Sequence, residues 1–175
     1  IDAGFGPVTT AKRLAQIGLS LGRIKAIVLT HLDQDHFRPT WARTLLGWEI
    51  PVYCHEWHQE EMVVHPAAPK LIQAGLVRNF MNSAFDVGTS LSITTVALKH
   101  DKQGTYAFHI QSPDGARLGY ATDFGDVPDE LIEHFTGVGL LAIESNYDLP
   151  MQISSDRPQF LKRRVMGRAG HLSNE

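Results

Sequence analysis

Apolar residues recur along this chain with two different periods, and the change between them separates its halves. In the first half, Ala11, Leu14, Ile17 and Leu21 follow Thr9-Thr10 at helical spacing, which predicts a capped amphipathic helix weakened at its end by Gly18. Lys25–Thr30 is a short β-branched run and reads as a buried strand. Pro39–Trp48 returns to helical character, with Pro39 tolerable only in the first turn. Pro51–Cys54 is predicted to be a strand and Glu56–Val64 a helix. Residues 66–80 then form a connector carrying a helix at Lys70–Ala74.

In the second half the period shortens. Asp86-Val-Gly88 is a turn, and Leu91–Leu98 and Thr105–Gln111 read as strands. Ser112-Pro-Asp-Gly115 is a tight turn, after which Arg117–Thr122 completes a hairpin. Pro128–Phe135 is helical and Gly139–Ile143 a buried strand. No repeats, low-complexity stretches or linkers interrupt the order. Mixed strands and helices fit a sheet sandwich covered by helices, although periodicity alone leaves other α/β arrangements open.

The densest chemistry lies where the first strand should end, in His31-Leu-Asp-Gln-Asp-His36. Imidazole nitrogens and carboxylate oxygens are ligands for divalent metals. A loop can turn His31, Asp33, Asp35 and His36 towards one centre, whereas a regular strand would split them between two faces. Taken alone, the run also fits a solvated acidic loop or an Asp capping a helix at Phe37. Distant residues complete the set: His100 in Ala97-Leu-Lys-His-Asp101, Asp123 in Tyr120-Ala-Thr-Asp-Phe-Gly125, and His171 in Gly170-His-Leu-Ser-Asn174. Each lies at the end of an apolar segment or beside a glycine, where a loop at a sheet edge would present it.

With Ile1-Asp-Ala-Gly4 at the start, this order resembles the metallo-β-lactamase fold superfamily. The superfamily pattern is an Asp, then Thr-His-x-His-x-Asp-His, a later His, a later Asp and a final His. Glu144-Ser-Asn-Tyr-Asp148, Leu161-Lys-Arg-Arg164 and the closing Gly-His-Leu-Ser-Asn resemble its YycJ/WalJ-type branch, regarded as DNA exonucleases or related phosphodiesterases. The resemblance implies an αββα sandwich in a single domain over residues 1–175. It also implies that elements are missing at both ends, because the chain starts at Ile1-Asp2 and stops shortly after His171.

Carried over residue by residue, the resemblance gives two metal positions. His31, Asp33 and His100 would hold the first; Asp35, His36 and His171 would hold the second, with Asp123 bridging. Asp35 and Asp123 would be the catalytic carboxylates, and Asp2 would organise the loop through hydrogen bonds. Two metals roughly 3.5–4 Å apart can share a hydroxide and stabilise the attacking and leaving oxygens of a displacement. The chain departs from the pattern at Asp33, where the family has His. A third carboxylate lowers the positive charge of the site and favours Mn²⁺, Mg²⁺ or Fe²⁺ relative to Zn²⁺ more than an all-His site would. It also leaves open a weak first position with only one metal bound firmly. Zn and Mn are the leading expectations, with Fe or Mg as the others.

Composition changes the picture little. The chain has 175 residues, is 43% apolar and 20% charged, and contains one cysteine, Cys54. An internal disulfide is therefore excluded, and the cytoplasm is the default compartment. No apolar run reaches the ~20 residues of a membrane helix, so no membrane partner is expected. A formal charge of −3 gives no global attraction to nucleic acid. One basic cluster stands out, Lys162, Arg163, Arg164 and Arg168, close to His171. It is a candidate phosphate-binding group, with a solvated face as the alternative.

Asn146 and Asp148 are read with equal weight as loop-shaping or substrate-contacting, and Asp101 as a partner orienting His100. Cys54-His55-x-x-His58 and His65 lack a convincing fourth ligand, while His109 and His134 read as packing or surface residues. The leading function is metal-dependent hydrolysis of a phosphodiester through a metal-bridging hydroxide, with DNA as the leading substrate and a small phosphodiester as the other. The rivals are a thioester or lactone hydrolase and a non-catalytic metal-binding module.

Overall fold

Pro7, rather than the Thr9-Thr10 pair, starts the first helix. The structure, a computed structural model, describes residues 1–88 and 90–175, and these form two compact units, Ile1–Met81 and Asn82–Glu175. Helix α1 (Pro7–Gln16) has Gly6 as its N-cap and proline in its first turn, so no threonine hydroxyl is needed there. It ends cleanly, because Gly18 takes φ +73° while its amide and that of Leu19 return to the Ala15 and Leu14 carbonyls. Leu21 then belongs to a separate 3₁₀ turn, Leu21–Arg23.

The first unit holds a three-stranded parallel sheet. Strand β1 (Ile27–Val28) pairs with β2 (Val52–His55), which pairs with β3 (Val77–Phe80). β1 is shorter than predicted. Its edge stays paired as far as Leu29, whose amide reaches the Tyr53 carbonyl, but the next amide, Thr30, is taken by the Asp2 side chain. Between β1 and β2 a 3₁₀ turn at Pro39–Trp41 runs into α2 (Ala42–Trp48), and between β2 and β3 lie α3 (Gln59–Val64) and α4 (Ala68–Gln73). β3 falls in the predicted connector. Its Val-Arg-Asn-Phe run is too short to show a period.

The core of this unit gathers Leu29, Phe37, Trp41, Leu45, Val52, Met62 and Leu71. Trp41 is buried and its indole Nε1 donates to the Phe5 carbonyl at 2.7 Å, which pins the N-terminal segment beside the 31–37 loop. Truncating such a residue to Ala costs about 3–5 kcal/mol.

The second unit is built on a five-stranded sheet ordered β4 (Phe85–Val87), β5 (Leu91–Leu98), β6 (Thr105–Gln111), β7 (Arg117–Ala121) and β8 (Leu140–Ile143). The segment predicted as an Asp86–Gly88 turn is instead mostly strand β4, antiparallel to β5, with Gly88 turning at φ +66°. β5 and β6 keep their predicted limits. The β6–β7 hairpin turns through Ser112–Gly115, closed by the Ser112 amide on the Ala116 carbonyl. Helix α5 (Asp129–Phe135) follows, and its Leu131 packs with Val96, Leu98, Ala107, Ala121 and Phe124.

β8 runs parallel to β7 at the sheet edge, and Leu140, Leu141 and Ile143 are exposed. The expectation of a buried strand is corrected here, since an all-apolar run does not distinguish an edge from a centre. Helices α6 (Leu149–Ser154) and α7 (Gln159–Val165) complete the unit. Among the described residues, no helix is long and apolar enough to cross a membrane.

Candidate metal centre

In the first unit the carboxylate of Asp2 organises the loop after β1. Its Oδ1 accepts from the Thr30 amide at 2.9 Å, its Oδ2 accepts from the Thr30 hydroxyl at 3.0 Å, and Oδ2 lies 2.9 Å from His36 Nδ1. Thr30 Oγ1 is also 3.0 Å from His31 Nδ1. The hydroxyl has one proton, which goes to the carboxylate, so Nδ1 of His31 donates to the hydroxyl oxygen. His36 Nδ1 likewise donates to Asp2. Both imidazoles therefore carry a proton on Nδ1, so Nε2 is the nitrogen each ring would offer to a metal.

Those nitrogens face the acidic residues of the same loop. His31 Nε2 is 3.7 Å from Asp33, His36 Nε2 is 3.9 Å from Asp35, and the two ring centroids are 4.0 Å apart. The rings are buried or nearly so, whereas the side chains of Asp33 and Asp35 are 58% and 82% exposed. Gly4 allows this arrangement: a Cβ there would fall 1.7 Å from the Asp35 carbonyl oxygen.

In the second unit His100 follows β5, Asp123 follows β7 and His171 follows α7. Each offers a ligand atom within 4.8 Å of the others. His100 Nδ1 faces the Gly170 carbonyl at 3.2 Å. His171 Nδ1 lies 3.0 Å from Glu144 and 3.2 Å from Asp123, and hydrogen bonds to Asp123 and then Glu144 push the His171 pKa up to about 9. Asp123 sits in the left-handed region at φ +56°, a conformation that Asp tolerates better than most residues. Close packing shapes the loops, since a Cβ on Gly125 would meet the Gly167 carbonyl at 2.0 Å and one on Gly170 the Arg164 carbonyl at 2.2 Å. Two imidazoles and a carboxylate this close, largely shielded from water, suit a divalent cation.

Glu144 has no role in the sequence reading, although its motif is noted there. Its side chain is 6% exposed and accepts from the Phe124 amide at 2.6 Å and the Leu172 amide at 3.4 Å, as well as facing His171. The available signal was an acidic residue immediately after an apolar strand.

Other expectations are revised by geometry. Asp101 pairs with Arg164, whose hydrogen bond holds the Asp101 carboxyl below its ordinary value, and the His100 ring also faces the Gly170 carbonyl. Lys162 is buried and its Nζ donates to the Ile153 carbonyl at 2.7 Å, so it closes α6 onto α7 rather than opening towards a phosphate. Arg168 is engaged by Asp126 at 3.0 Å, while Arg163 is exposed. Asp148 shapes its loop by capping α6, accepting from the Met151 amide at 2.8 Å. Asn146 has an exposed side chain and a backbone amide bound to the Leu172 carbonyl.

The remaining histidines have structural work. His55 accepts from the Trp57 amide, His58 pairs with Glu61, and His65 accepts from the Ala67 amide and faces the Phe37 carbonyl. His109 and His134 meet edge to face.

The family described as "Beta-lactamase superfamily domain" has a sequence model that matches residues 1–175. The chain is similar to "Exodeoxyribonuclease YycJ" of Bacillus anthracis, with 26% identity over 181 residues, covering all of this chain and 64% of the relative. Among solved structures, it resembles the metallo-β-lactamase fold protein YhfI from Bacillus subtilis, with TM-score 0.63 and 19% identity over 98% of this chain and 64% of that one. It also resembles Zn²⁺-bound PqqB from Methylobacterium extorquens, with TM-score 0.64 and 17% identity over 86% of this chain and 54% of that one. These likenesses establish a metallo-β-lactamase fold, and the chain spans 64% of the length of the curated relative.

Proposed function

Since the chain belongs to the beta-lactamase superfamily, we propose that it is a metal-dependent hydrolase of phosphodiester bonds with DNA as its substrate. The observation that carries this reading is the orientation of the histidines in the first unit: Asp2 and Thr30 hold both Nδ1 atoms, so that each ring would turn Nε2 to a metal. A merely solvated acidic loop has no need of that relay.

Following the family order, His31, Asp33 and His100 would hold one ion and Asp35, His36 and His171 another, with Asp123 shared. Bound divalent ions would neutralise phosphate charge and lower the pKa of water. The protein's own contribution is positional. Asp2 fixes the two rings, the left-handed turn at Asp123 aims its carboxylate, and the exposed Asp35 leaves room for substrate beside His36. Asp33 adds negative charge, so the cationic groups near the substrate matter more here than in an all-His site. Arg163, exposed on α7, is the cluster member best placed to contact a phosphate, with Asn146 as a neutral partner on another loop.

DNA is favoured over a small phosphodiester by the similarity to a relative named as an exodeoxyribonuclease. A cytoplasmic setting is consistent with Cys54, a buried free thiol. The test is a metal-supplemented assay of the full-length protein on a short DNA, a generic phosphodiester and a thioester, with Asp123→Ala alongside. Turnover of DNA and the generic phosphodiester that is lost in the variant is the expected result. Turnover of the thioester alone would replace this reading with an acyl hydrolase, and metal binding without turnover would leave a binding module.

A further inference from the structure

We propose that Glu144 is a positioning residue: it locks the Asp123 and His171 loops together and sets which ring nitrogen His171 offers to a metal. The inference rests on the metal-binding reading above. One carboxylate makes three contacts to two loops that are distant in sequence.

The first contact controls Asp123. Its left-handed backbone is an uncommon conformation that persists only when the surroundings enforce it. The following amide, Phe124 N, donates to Glu144 Oε1 at 2.6 Å, which fixes the turn directly after the strained residue. The second contact does the same for the other loop, because Leu172 N directly follows His171 and reaches the same oxygen at 3.4 Å.

The third contact sets the tautomer. Glu144 Oε2 and Asp123 Oδ1 both approach His171 Nδ1, at 3.0 and 3.2 Å. A carboxylate offers acceptors, so Nδ1 carries a proton in both contacts and Nε2 is the atom left for a metal. Phe124 is buried against Val96, Leu98 and Leu131, so the clamp is anchored to the core rather than to a free loop. Partners of this kind typically change metal affinity 10–100-fold when removed.

Glu144→Gln separates this role from simple packing. The amide keeps an oxygen for the Phe124 and Leu172 amides but turns an NH₂ donor towards the proton on His171 Nδ1. Zn²⁺ affinity, measured by chelator competition, should weaken about 10–100-fold. His171→Ala should also weaken it, and the double variant should bind no worse than His171→Ala alone. Additive losses, or unchanged affinity in Glu144→Gln beside a loss in His171→Ala, would overturn the proposal. If the Gln variant does not fold, Glu144→Asp carries the same comparison, because it withdraws the charge by one methylene.

Hydrogen exchange on metal-free protein supplies an independent readout. The Phe124 and Leu172 amides should exchange faster in Glu144→Ala than in the wild type, and unchanged exchange at both would overturn the clamp. A wild-type chain that binds no Zn²⁺ or Mn²⁺ would instead overturn the metal reading, with the exchange result still deciding the role of Glu144.

Discussion

The carboxylate of Asp2 lies 2.9 Å from Nδ1 of His36, a residue 34 positions away, and also accepts from Thr30, which holds His31. One acidic residue at the head of the chain therefore prepares two candidate ligands. Asp2→Asn keeps a residue that tolerates the observed φ of +55° but puts an amide donor among groups that already donate. Metal affinity should fall about 10–100-fold with only a small loss of thermal stability. Chelator competition and a melting curve on one preparation check both outcomes.

Gly4→Ala tests the same loop through the backbone. The new Cβ would sit 1.7 Å from the Asp35 carbonyl, so the N-terminal segment or the loop must move. A loss of several kcal/mol is expected, reported by the midpoint of denaturant unfolding. Gly18→Ala, with open space but φ +73°, is the control and should cost about 1 kcal/mol.

Asp33→His restores the donor that the family pattern has at this position. Preference should move towards Zn²⁺ and away from Mn²⁺, because a hard oxygen donor is exchanged for imidazole. Elemental analysis after loading from an equimolar mixture reads the ratio. An unchanged ratio would remove Asp33 from the ligand set.

Burial pushes the Cys54 thiol up to about 12 from an ordinary value of 9.0. The unfolded chain therefore releases this proton first as pH rises, which favours unfolding between about pH 9 and 12. The contribution to stability is fully present below 9 and declines above it, by at most about 1.4 kcal/mol per pH unit. Cys54→Ala should flatten that part of the stability profile. A thiol reagent at pH 8 should react with the native protein far more slowly than with the unfolded one.

Lys162 and Arg163 are neighbours with opposite expected phenotypes. Lys162→Met removes a buried ammonium and its bond to the Ile153 carbonyl, so it should alter stability and leave KM for DNA unchanged. Arg163→Ala should raise KM for DNA more than for a small phosphodiester. It should also shrink the slope of log affinity against log salt by about 0.7–0.9, the signature of one lost phosphate contact. Equal KM changes for both substrates would mean that Arg163 lies on a solvated face.

The strands Leu91–Leu98 and Thr105–Gln111 were legible because their limits are marked by turns and polar breaks. The histidines and acids of the candidate centre were legible because that chemistry needs few residue types at loop ends. Glu144 was not, since its partners are Phe124, brought near by the pairing of β7 with β8, and Leu172, brought near by the bridge between Tyr147 and Ser173. The inward turn of Lys162 is hidden for a similar reason: a run of basic residues on a short helix carries no mark of which one turns inward. The edge position of β8 was hidden because apolar composition reports strand propensity, whereas exposure depends on what lies alongside.

The parallel pairing of β7 and β8 has a consequence for how freely this region can change in length. Parallel strands deliver their C-terminal ends to the same side of a sheet, so the register Ala121↔Ile143 sets Asp123 and Glu144 beside each other whatever the intervening crossover does. Residues inserted around α5 should leave that geometry intact. A register slip of one residue would displace Glu144 by about 3.3 Å and turn its side chain to the opposite face. Crossover length is therefore a tolerant variable in this fold, and β7–β8 register an intolerant one.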